Sequence, residues 1–65
     1  MNTQGNMDIA LLILIETLKE FPEIKKGSAW MATVEAIANM RGVSPNSLIR
    51  SFSDWTQGLY VIQSK

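Results

Sequence analysis

The four residues Gly42-Val43-Ser44-Pro45 leave this chain few ways to fold. A glycine placed just after a run of helix-spaced apolar residues ends that helix, because it takes up a left-handed conformation that costs other residues energy. Two positions on, the Ser44 side chain can accept from the free N–H groups of a new helix. Pro45 suits the first helical position, where its missing N–H costs nothing. Arg41 falls in the last turn before the glycine, where a cation is favourable for the helix dipole. The sequence therefore predicts two helices joined by a short turn.

Upstream of that turn, Trp30, Met31, Val34, Ile37 and Ala38 recur at three- and four-residue spacings. They predict one amphipathic helix over 28–41 capped by Ser28, or a short turn followed by a helix recapped at Thr33. Downstream, a helix over 45–57 with Gly58 as its stop has two faces. Leu48, Phe52, Trp55 and, beyond the stop, Leu59 share one face and are expected to pack on the other helices. Asn46, Arg50, Ser53 and Gln57 share the opposite face at the same spacing. Arg, Asn and Gln carry forked ends that match guanine and adenine edges, so this second stripe has the chemistry of a DNA-reading surface. A polar outer stripe is also what any surface helix carries.

The pattern Val34-x-x-Ile37-Ala38-x-x-x-Gly42-Val43-Ser44-x-x-x-Leu48-x-Arg50-x-Phe52 resembles the first helix-turn-helix of AraC/XylS-type transcription regulators, over about residues 33–58. The resemblance implies a major-groove contact by Arg50 and by the variable residues that open the second helix. Asp54 departs from the basic residue that would help phosphate contact there. Members of that family carry a second helix-turn-helix, which residues 59–65 do not supply. A single unit reads one half-site, so a homodimer is expected.

Before this region, residues 1–7 read as a flexible lead-in. The apolar run IALLILI then predicts a helix over 9–20, capped by Asp8 and stopped before Pro22, although its isoleucines leave a strand open for 9–15. Seven consecutive apolar residues fall far short of the roughly 20 that span a bilayer, and no basic region precedes them as in a signal peptide. Apolar residues wrap around this helix. Either one face meets a second copy or a partner, or the helix is simply the centre of the core. Residues 21–27 read as a connection whose lysine pair, Lys25 and Lys26, could touch phosphate or keep a loop solvated, and the solvated loop is the expected role. The tail 59–62 could be an edge strand, a helix continuation or a dimer contact, and is expected to fold back on the core.

At 65 residues the chain is a single domain, and with no Cys and no His it offers no disulfide, Cys/His metal site or histidine chemistry. Its serines have no base at readable spacing, its glycines form no phosphate loop, and Asp8 and Asp54 match no metal-binding loop. No enzyme activity, cofactor or metal is therefore expected. Net charge is zero, but residues 1–40 carry three lysines against five carboxylates, while 41–65 carry Arg41, Arg50 and Lys65 against Asp54. The positive part holds most of the helix-turn-helix pattern.

These readings converge on an all-α, three-helix domain with a helix-turn-helix and a short C-terminal strand or extended tail. The expected function is sequence-specific binding of double-stranded DNA by a cytoplasmic, homodimeric transcription regulator with no membrane partner. Asn46, Ser47, Arg50 and Ser53 would lie in or near the groove, Ser44 and Arg41 closer to the backbone, and Gln57 at the edge. The competing reading is a small helical adaptor or inhibitor that binds a protein through helix 9–20.

Overall fold

A computed structural model describes residues 3–62 as three helices: α1 (Thr3–Glu20), α2 (Ala29–Arg41) and α3 (Pro45–Thr56). A 3-10 helix, Pro22–Lys26, joins α1 to α2. Each helix packs on the other two, and no strand occurs among the described residues. The domain is thus all-α, as the periodicities predict.

In α1 the buried side chains Ala10, Leu11, Leu14 and Ile15 form one stripe, flanked by the half-buried Met7, Ile13 and Leu18. Val34, Ile37 and Ala38 of α2 and Leu48 and Phe52 of α3 complete the core. Leu11, Leu14, Val34 and Leu48 are fully enclosed, and burial of each such side chain contributes about 1.5–3 kcal/mol. The continuous apolar run is therefore divided between a stripe buried against α2 and α3 and an outer face. Ile9 and Leu12 remain exposed on its outer face.

Two expected helix starts differ from the structure. The first helix begins at Thr3, so residues 3–7 of the expected lead-in are helical, while Met1 and Asn2 lie outside the described residues. Asp8 does not cap it. Its carboxylate is buried within α1 and accepts a hydrogen bond from the Tyr60 hydroxyl. Ser28 precedes α2 but has helical backbone angles (φ −71°, ψ −12°) and makes no capping bond. A capping side chain needs an extended backbone to reach back to the free N–H groups, and the 3-10 helix feeds the chain into α2 without one. α2 then runs unbroken through Thr33.

The stop signals hold closely. Gly42 has φ 70°, the Val43 N–H donates to the Ala38 carbonyl at 3.0 Å, and Val43 packs against the core. This is the left-handed cap in which the chain's reversal and an apolar contact come together. Gly58 repeats it at φ 78°, with Leu59 N–H donating to the Asp54 carbonyl at 2.8 Å.

Beyond Gly58 the chain has no regular structure through Ile62. Tyr60 and Ile62 fold back on the core, whereas Leu59 and Val61 are each 72% exposed. Leu59 therefore does not join the packing face of α3. The left-handed glycine takes the chain out of helical register, so the spacing that placed Leu59 with Leu48 and Phe52 ends at residue 57. Trp55 is itself only partly covered, at 37% exposed.

Burial, the hydrogen bond to Asp8 and the charge on that carboxylate push the Tyr60 hydroxyl up to about 12. Its ordinary value is 10.0, so the folded state holds the proton more tightly than the unfolded chain. This stabilisation is complete below pH 10 and is lost as pH rises through the interval to 12. Thermal melts across that interval should fall more steeply for the wild type than for Tyr60→Phe, which has no proton to lose. Parallel curves would mean that the hydroxyl does not sense Asp8.

Candidate nucleic-acid interface

The first turn of α3 is set by Ser44, whose extended backbone (φ −73°, ψ 132°) lets its Oγ accept the Ser47 N–H at 3.4 Å. Pro45 begins the helix, and Leu48 and Phe52 anchor its inner side. The outer side is thereby fixed in orientation. Asn46, Arg50, Ser53 and Gln57 are all exposed along it in one stripe, with Ser47 exposed at its flank.

Each of these groups has a distinct hydrogen-bonding state. Gln57 Nε2 donates to Ser53 Oγ at 3.2 Å, tying the two C-terminal members together. Arg50 makes no ion pair among the described residues, where the salt bridge is Lys19 to Glu16 at 3.6 Å on α1. Its guanidinium can donate to an acceptor outside the chain, such as a phosphate or a guanine edge. Arg41 stands apart from the stripe, at the end of α2. It is half-buried, and its Nε is enclosed without a hydrogen-bond partner.

Of the two loop lysines, the structure brings Lys25 to this face. The 3-10 helix brings Lys25 against α3, with its Nζ 5.7 Å from the centre of the Trp30 ring and 6.0 Å from that of Phe52. Trp30 and Phe52 are themselves 5.6 Å apart, and Phe52 and Trp55 6.1 Å. A groove of about 510 Å³ runs here between Lys25 and Trp30 on one side and Ile49, Phe52, Ser53 and Thr56 of α3 on the other. Ser53 belongs both to this groove and to the polar stripe. No local pattern marks Lys25, because its contact with α3 joins it to Phe52, more than twenty positions away.

On the far side of Phe52 a smaller, largely apolar recess of about 190 Å³ lies among Ile15, Leu18, Lys19 and Trp55. Among the described residues, no group of three or more carboxylates is placed to hold a metal ion, and no helix is long and apolar enough to cross a membrane. Compared with known proteins, the chain matches no family model, no curated protein and no solved structure.

Proposed function

We propose that this protein is a sequence-specific DNA-binding transcription regulator that presents α3 to the major groove. The observation that carries the reading is the exposed stripe Asn46, Arg50, Ser53 and Gln57 on a helix whose inner side is locked into the core, with Arg50 making no ion pair among the described residues. Forked donors and acceptors held on a rigid helix suit base-edge hydrogen bonds, and serine hydroxyls suit phosphates as well. Asn46, Ser47, Arg50 and Ser53 would face the groove, Gln57 its edge, and Ser44 and Arg41 the backbone. The role is recognition without catalysis. A cytoplasmic homodimer would span two half-sites one helical turn apart, and the exposed Ile9 and Leu12 offer a surface for it.

An NMR titration of amide shifts with a mixed-sequence duplex tests the reading directly. At low salt the perturbed amides should cluster in residues 41–57, and raising the salt should reverse the shifts, because phosphate neutralisation releases counterions. A spectrum unchanged by excess duplex rejects DNA binding. Protein recognition then becomes the better reading, and the exposed Phe21, Met31, Met40, Leu59 and Val61 support it. Such an interface would show weak salt dependence and a negative heat-capacity change.

A further inference from the structure

We infer that Lys25 is a backbone-phosphate contact, placed beside α3 by the Trp30–Phe52 ring pair. This inference rests on the DNA-binding reading above and deepens it. On α3 itself the charges are Arg50 and Asp54, which cancel, so the helix alone brings no excess positive charge to a polyanion. Lys25 supplies that excess on the same side of the molecule. It shares its groove with Ser53 of the polar stripe and with Ile49 and Thr56 beside that stripe on α3.

The chemistry favours a phosphate over a base. A lysine ammonium is a compact point charge with three freely rotating donors, suited to a phosphate oxygen and poorly suited to forked base recognition. Duplex backbones border the major groove on both sides, so a cation beside a groove-bound helix meets phosphate while the outermost stripe of that helix meets base edges. The ammonium makes no ion pair among the described residues, and the neighbouring Glu23 does not engage it. The two rings hold it by cation–π attraction. Its side chain therefore loses little freedom when a phosphate arrives.

The test is fluorescence anisotropy of a labelled mixed-sequence duplex over a range of salt concentrations, for the wild type, Lys25→Gln, Lys25→Arg and Lys26→Gln. Each neutralised phosphate contributes about 0.9 to the slope of log K against log salt on B-form DNA. Lys25→Gln should make the slope shallower by about that amount and weaken binding equally on every duplex tried. Lys25→Arg should keep the wild-type slope. Circular-dichroism melts check that the fold persists in each variant.

Wild-type slope in Lys25→Gln, with wild-type protein binding normally, overturns this inference and leaves the DNA reading standing. An equal loss in Lys26→Gln also overturns it, since general loop charge would then suffice without the ring-held placement. No wild-type binding at any salt overturns the DNA reading and this inference together.

Discussion

Leu14→Ala should remove roughly half of the stability of this domain. Leu14 is fully enclosed at the centre of α1, in a core drawn from all three helices. Truncating such a leucine forfeits its transfer free energy and leaves a cavity that the neighbours only partly fill, at a cost of about 2–5 kcal/mol. A 65-residue domain has on the order of 3–10 kcal/mol in total, by the usual 0.05–0.15 kcal/mol per residue. Taken at the middle of both ranges, the substitution removes roughly half of that stability. Urea unfolding followed by circular dichroism should show the midpoint falling sharply with little change in slope. Leu12→Ala makes the comparison, because Leu12 lies on the same helix but is 41% exposed, and it should cost far less. Equal losses at the two positions would mean that α1 is rotated relative to the core described here, or that its outer face is covered by a second copy. Repeating the melt at several protein concentrations separates those two causes.

Arg50→Ala should weaken duplex binding by about 1–3 kcal/mol, roughly five- to 150-fold, if Arg50 reads a base. Folding should be untouched, since the side chain is exposed and makes no ion pair among the described residues. The informative companion is Arg50→Lys, which keeps the charge and loses the planar fork. A base contact predicts that lysine rescues the salt slope but not the preference for one sequence over another. A phosphate contact predicts that lysine rescues both, and that alanine merely flattens the slope. Binding unchanged by either substitution would remove α3 as the recognition element.

The parts of the fold that were legible in the sequence are those fixed by a residue's own backbone. Gly42 and Gly58 end helices because positive φ is cheap for glycine, and Ser44 with Pro45 starts one because a hydroxyl and a locked φ meet at a single position. Those signals hold whatever packs around them. Asp8 and Ser28 carry the same kind of side chain as Ser44, but a cap also needs extended backbone angles, and these are set by neighbouring segments. Ser28 is held helical by the 3-10 helix, and Asp8 is taken up by Tyr60 from the other end of the fold. Leu59 fails for a related reason, since a helical spacing has no meaning past a left-handed glycine.

The candidate interface divides along the same line. Asn46, Arg50, Ser53 and Gln57 could be placed together by periodicity within one helix, and the structure leaves all four exposed. Lys25 could not, because its position depends on how the 3-10 helix folds against α3. Arg41, expected nearer the DNA backbone, is half-buried at the end of α2 with its Nε enclosed. Lys65, counted in the positive part of the sequence, lies outside the described residues.

The bond between Asp8 and Tyr60 joins positions 52 apart and ties the tail beyond α3 to α1. Residues 59–62 are held by that bond and by Tyr60 and Ile62 against the core, without the internal hydrogen bonds of a helix. The domain therefore has a seam. Amides of α2 and the middle of α1 should exchange with solvent only on global unfolding, while residues 59–62 open far more often, exposing Asp8 on α1 and freeing only the last turn of α3. Such a division lets one end of the molecule breathe while the opposite face keeps its shape.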